Sequence, residues 1–95
     1  MIHLYIQEKG SAKEIRWNLL KNERLKKTRG ASFEDIINAK LIAIKRHNQR
    51  EGQNIMLFEY KNYIWIVPYV EDKSHVFLKT LYPSRKYTKI YKKRG

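Results

Sequence analysis

Hydrophobic and polar positions change their period several times along this chain, and each change marks an element. Ile2–His3–Leu4–Tyr5–Ile6 reads as a short strand that Gly10–Ser11 interrupts, and Ile15–Arg16–Trp17 reads as a second brief strand. Residues 1–14 are expected to be an edge strand or a loose extension, with residues 15–95 as a single domain. From Asn18 to Arg29 the chain holds strong helix formers, and Gly30 stands where a left-handed residue should close the helix. Ser32–Phe33–Glu34–Asp35 then has the form of a helix start. The serine can cap, and the carboxylates sit at the positive end of the helix dipole. Phe33, Ile36, Ile37, Leu41 and Ile44 continue at helical spacing, so this second helix is expected to run to about Lys45–Arg46–His47. The polar stretch from His47 to Gln53 predicts a loop.

Beyond Gln53 the pattern is that of strands. Ile55 to Tyr60 and Tyr63 to Val70 are rich in β-branched and aromatic residues, with Lys61–Asn62 as the turn between them. Pro68 cannot donate to a ladder, so it places its end of the strand at an edge or bulge. Glu71–Asp72–Lys73–Ser74 reads as a second turn, and His75 to Leu81 as a third strand. Pro83 breaks the chain, and Ser84 caps a closing helix in which Tyr87, Ile90 and Tyr91 form one stripe that can pack on a core. Arg85, Lys89 and Lys92 share a different face. Short turns join the last three strands. The predicted fold is therefore α+β: an antiparallel β-meander with two N-terminal helices and a C-terminal helix packed on the sheet, the helices segregated to one face.

Charge sharpens this picture. The chain has 95 residues, with Lys+Arg 21 against Asp+Glu 9, a formal net charge of +12. From Lys79 onward there are seven Lys/Arg and no carboxylate, the final one being Asp72. A packed helix with an uncompensated cationic face favours a polyanion, of which RNA and DNA are the commonest. There is no cysteine, and His3, His47 and His75 lack the spacing of metal ligands, so neither a disulfide framework nor a metal or other cofactor is expected. No apolar run approaches the roughly 20 residues of a membrane span. The start of the chain lacks a signal-peptide pattern, so a cytoplasmic location without membrane association is expected.

No phosphate-binding loop, nucleophile elbow or dinucleotide motif appears. Glu34–Asp35 is better explained as the first turn of a helix and Glu71–Asp72 as a turn, which leaves no carboxylate cluster for metal-dependent nuclease chemistry. A metal-free ribonuclease needs other parts, because RNA brings its own nucleophile, the 2′-hydroxyl. The protein has to orient that group, stabilise the phosphorane and move protons. Arg85, Lys86, Lys79, Tyr91, His47 and Arg50 are the candidate catalytic groups, and Lys21, Lys26, Lys27, Lys89 and Lys92 the candidate RNA-binding cations. Arg85 is the most informative of these, since a cation in the first turn of a helix opposes the dipole unless an anion is also there. The alternative is a non-catalytic RNA- or DNA-binding module, with Tyr63, Trp65 and Tyr69 as a stacking face.

Trp17–Asn18 with Lys21–Asn22–Glu23 and Leu25–Lys26, then Arg29–Gly30 and Ser32–Phe33–Glu34–Asp35, resembles the opening of BrnT-type toxins of bacterial type II toxin–antitoxin systems. Pro83–Ser84–Arg85–Lys86 with Lys89 and Tyr91 resembles that family's closing helix. The likeness spans roughly residues 15 to 92. It implies a RelE-like fold, endoribonuclease activity without metal, and a cognate DNA-binding antitoxin that covers the cationic surface in a hetero-oligomer. The residues that match by position are Trp17, Lys21, Ser84, Arg85 and Lys86. The chain departs from the pattern at Asn18, where an acidic residue is frequent, and at Asn54, where an arginine is frequent and for which Arg50 or His47 would have to substitute.

Overall fold

In the computed structural model the described residues are 4–8, 11–46 and 54–92. They form β1 (Leu4–Glu8), β2 (Ser11–Arg16), α1 (Leu19–Arg29), α2 (Phe33–Ile37), β3 (Lys40–Arg46), β4 (Asn54–Tyr60), β5 (Tyr63–Glu71), β6 (His75–Leu78), β7 (Tyr82–Pro83) and α3 (Arg85–Lys92). The sheet runs β1-β2-β6-β5-β4-β3, and the short β7 pairs with β5 on the edge that β6 leaves free. From β3 to β6 every pairing is antiparallel, as is β1 with β2, but β2 joins β6 in parallel. The protein is thus α+β with a mixed sheet, and the meander is one strand longer than the sequence predicts.

The helix boundaries follow from local chemistry. Asn18 caps α1 by accepting from the Lys21 N–H, and Gly30 closes it at φ 71°, a left-handed position that suits glycine. Ser32 and Asp35 form a reciprocal capping box on α2. That helix, however, ends at Ile37, and Lys40–Arg46 is strand β3 rather than its continuation. Asn38 already serves as the C-cap, its N–H bonding back to Glu34 O. Beyond it Leu41, Ala43 and Ile44 pair across to Phe58, Leu57 and Met56 around a bulge between Leu41 and Ala43, and the β-branched Ile42 and Ile44 suit a pleated surface. The β4–β5 turn has φ 51° at Lys61 and 62° at Asn62, both positive as a tight two-residue hairpin requires.

The two faces of the sheet carry separate cores. On one, Met56, Phe58, Trp65, Val67, Tyr69, Val76 and Leu78 pack beneath α1 and α2 with Trp17, Leu25, Phe33 and Ile36, and Trp17 stacks on Phe33 at 5.6 Å. On the other, Leu57, Ile64 and Ile66 pack with half-buried Tyr87 of α3. The helices therefore lie on both faces, because the continuous apolar runs Met56–Phe58 and Ile64–Val67 in β4 and β5 make both faces apolar. This also settles the aromatic stripe of β5. Trp65 and Tyr69 are 8% and 2% exposed, so they build the core and are not a stacking face. Among the described residues no helix is long and apolar enough to cross a membrane.

Candidate nucleic-acid interface

Helix α3 is anchored by hydroxyls, not by an apolar stripe. Of Tyr87, Ile90 and Tyr91, Tyr87 alone reaches a core cluster; Ile90 is 57% exposed and Tyr91 39%. The reason lies at Ser84, which is buried at the start of the helix. Its N–H donates to Ile64 O at 2.8 Å, and its hydroxyl accepts from Tyr87 N–H at 3.0 Å. One turn on, the Thr88 hydroxyl accepts the Ile64 N–H at 2.9 Å and donates to Ser84 O at 2.6 Å. The edge of β5 that no strand covers at Ile64 is thus completed by the first turn of α3. This fixes the helix azimuth, with Ser84 and Thr88 against the sheet.

That azimuth turns Arg85, Lys89 and Lys92 together into an open pocket of about 370 Å³, which Tyr63 and Thr88 also line. The spacing i, i+4, i+7 read from the sequence is borne out for this face. The three cations are not equivalent. Lys92 is paired with Glu59 at 2.5 Å, and the ammonium, through its hydrogen bond first and its charge second, holds the Glu59 carboxyl below the usual carboxylate range. Arg85 and Lys89 have no hydrogen-bond or ion-pair partner among the described residues. No acidic residue stands in the first turn of α3. Lys86 lies on another side, its Nζ 5.6 Å from the Tyr87 ring, with Lys45 at 5.9 Å from the same ring. Tyr91 lies against Tyr87 with ring centroids 6.2 Å apart and the rings tilted by 31°.

Lys79 belongs elsewhere. The strand expected to reach Leu81 ends at Leu78, and the Lys79 N–H bonds to Pro68 O at 2.9 Å where the chain leaves the sheet. Lys79 there lines a second open pocket, of about 460 Å³, with Lys21 and Arg24 of α1 and with Phe77, Leu20 and Asn18. Lys26 is ion-paired with Glu23 at 3.1 Å, and that carboxylate's hydrogen bond raises the lysine pKa above its ordinary value. Lys27 is an exposed position of α1. His47 and Arg50 lie outside the described residues. Of the six candidate catalytic groups, the four among the described residues are thus not gathered at one point. Arg85 stands with Lys89 and Lys92, Lys86 and Tyr91 lie beside Tyr87, and Lys79 stands with Lys21.

Sequence reasoning missed Arg24 and Phe77 as pocket-lining residues; Tyr63, named there in the stacking stripe of β5, lines the Arg85 pocket. Arg24 could have been found three positions after Lys21 on the same helical face, and Phe77 by its alternation against the buried Val76 and Leu78. Among the described residues no group of three or more His, Cys, Asp or Glu side chains is placed to hold a metal ion. In comparisons with known proteins, the chain matches no family model, no curated protein and no solved structure.

Proposed function

We propose that the chain binds RNA through its cationic surface and acts as a metal-independent endoribonuclease toxin of the BrnT type, neutralised by a cognate DNA-binding antitoxin. The observation that carries the RNA reading is Arg85. It is an unpaired guanidinium in the first turn of a helix, beside unpaired Lys89, in a pocket open to solvent. The helix N-terminus and the guanidinium both favour an anion there, and the planar fork of arginine matches a phosphodiester bidentately. The order from β2 onward supports the family reading: a strand, two helices, an antiparallel meander and a closing helix, as expected of a RelE-like domain. In this reading Arg85 and Lys89 stabilise the phosphorane formed by attack of the 2′-hydroxyl, and the candidates for proton transfer on α3 are Lys86 and Tyr91, which lie beside Tyr87 and outside the Arg85 pocket.

The test is Arg85→Ala assayed for RNA cleavage in EDTA alongside its melting temperature. Cleavage should be lost, while stability changes by no more than about 0.5 kcal/mol, because the side chain is exposed and unpartnered. Arg85→Lys should restore activity only in part. Products should end in a 2′,3′-cyclic phosphate or 3′-phosphate. A folded Arg85→Ala protein with full cleavage would remove Arg85 from the site, and products with a 3′-hydroxyl would refute the chemistry. The second reading, RNA binding without cleavage, is favoured by the scatter of the candidate catalytic groups. It predicts intact RNA in every one of these assays.

A further inference from the structure

The two cationic pockets lie on one line. The segment from Lys79 to Ser84 runs antiparallel along the free edge of β5: Lys79 N–H bonds to Pro68 O, Tyr82 pairs with Ile66, Pro83 with Trp65, and Ser84 N–H bonds to Ile64 O. Each step along this segment therefore advances toward the start of β5, where Tyr63 borders the Arg85 pocket. Helix α1 accompanies it. Its first turns bring Lys21 and Arg24 to Lys79, and its last residue, Arg29, donates to Leu81 O and places its guanidinium 5.9 Å from the Tyr82 ring. Three stations follow in order: the Lys21–Arg24–Lys79 pocket, the Arg29–Tyr82 pair, and the Arg85–Lys89 pocket.

At the outer stations Lys21, Arg24, Lys79, Arg85 and Lys89 have no carboxylate partner among the described residues, although Lys92 in the Arg85 pocket and lysines elsewhere such as Lys13 and Lys26 do. Apolar and aromatic surface is interleaved with them. Leu20 is 75% exposed, Phe77 is half-buried, and Tyr82 is 37% exposed beneath Arg29. Regular charge alone would suit a duplex, whose bases are hidden. Charge alternating with accessible rings suits unpaired bases, which can stack while the phosphates meet the cations.

We propose that this line is a track for single-stranded RNA, and that the Lys21–Arg24–Lys79 pocket is a second RNA subsite remote from Arg85. From Pro68 to Tyr63 is five positions of β5, or about 17 Å at ~3.3 Å per residue. At ~3.4 Å per stacked nucleotide, the track spans about five nucleotides. It rests on the reading of the chain as an RNA-binding protein but not on cleavage.

The experiment titrates the full chain with a fluorescent single-stranded 2′-O-methyl RNA of ~12 nucleotides, long enough to cover the track and lacking the reacting hydroxyl. Binding by the Arg24→Ala/Lys79→Ala variant is compared with that by Lys13→Ala/Lys73→Ala, which removes the same formal charge at positions that line neither cationic pocket. The on-track pair should weaken binding about tenfold and reduce the salt slope by about 1.4, from ~0.7 for each lost phosphate contact. The off-track pair should weaken it less than about twofold, and melting temperatures confirm that both remain folded. Equal losses from the two pairs would show diffuse charge attraction and overturn the track. So would a duplex of the same length binding as tightly, or poly-glutamate competing as well as RNA. Track-dependent binding by a protein that never cleaves unmodified RNA would refute the nuclease reading alone. Cleavage that needs Arg85 but is joined by undiminished binding of the Arg24/Lys79 variant would refute the track alone.

Discussion

Thr88→Val tests whether hydroxyls rather than apolar contacts hold α3 on the sheet. The change is nearly isosteric and leaves the β-branched shape intact, so helix propensity hardly moves. What it removes is the acceptor of the Ile64 N–H and the donor to Ser84 O. Ser84 O keeps the Thr88 N–H at 3.0 Å and stays satisfied. Ile64 N–H is different, because Ile64 is fully buried and its N–H points to the edge of β5 that no strand covers there. An unpaired buried donor costs about 1–3 kcal/mol, and a midpoint near ~2 kcal/mol corresponds to a fall of roughly 8–16 °C in melting temperature for a domain of this size. Thr88→Ser keeps the hydroxyl and sheds one half-buried methyl, worth less than about 0.8 kcal/mol. Thermal melts of both variants, with amide hydrogen exchange at Ile64, separate the cases. Valine should lower the melt sharply and expose the Ile64 amide, and serine should do neither to a comparable extent. If Thr88→Val melts as the parent does with Ile64 still protected, the anchoring argument is wrong.

Two further predictions concern the rest of the frame. Asn22 is buried between α1 and α2, donating to Glu34 Oε1 at 2.8 Å and accepting the Phe33 N–H at 2.7 Å, so Asn22→Ala should cost about 2–3 kcal/mol in urea unfolding; an unchanged midpoint would refute the staple. Acid should also destabilise the fold. Burial raises the Glu34 carboxyl, but hydrogen bonds from Asn22, the backbone and Ser32 outweigh that and leave it lowered. Lys92 lowers Glu59, and the backbone N–H groups of Ser74 and His75 lower Asp72. A carboxyl lowered in the folded state contributes in full above its unfolded value, 4.5 for Glu and 3.8 for Asp, and loses that contribution as pH drops through the folded value. Melting temperature should therefore fall below about pH 4.5, and less steeply in Glu59→Gln; a parallel fall in the variant would remove Glu59 from the effect.

Elements with local punctuation were legible in the sequence. Asn18 and Gly30 bracket α1, Ser32 and Asp35 start α2, and the alternation on either side of Lys61–Asn62 gives the β4–β5 hairpin. Lys40–Arg46 was not, because Leu41 and Ile44 satisfy both a helical stripe begun at Phe33 and a pleated strand, and only pairing with β4 decides between them. The parallel union of β2 with β6 joins distant residues and leaves no local mark. The same division holds for the candidate site. Arg85 and Lys89 share a face by helix period alone, whereas Lys21, Arg24 and Lys79 meet through tertiary structure. The stripe of Tyr87, Ile90 and Tyr91 misled because capping by Ser84 and the Thr88 hydroxyl set the helix azimuth, and burial of the apolar residues did not.

The electrostatics of α3 are divided between its two ends. At the tail Lys92 lies where the dipole is negative and has Glu59 as a partner, so it is favoured twice. At the head the groups that meet the backbone, Ser84 and Thr88, are neutral. The cation beside them, Arg85, has neither a carboxylate nor a favourable dipole. A carboxylate cap in place of Ser84 would satisfy the same Tyr87 N–H and would relieve the arginine, at a gain of about 0.3–1 kcal/mol from the dipole. With a neutral hydroxyl there instead, the unfavourable charge stays concentrated at the mouth of one pocket. A bound phosphate would relieve the dipole, the guanidinium and part of the net charge of +12 together. The head of α3, where the free protein leaves a cation unrelieved, is therefore a place where a phosphate has much to add.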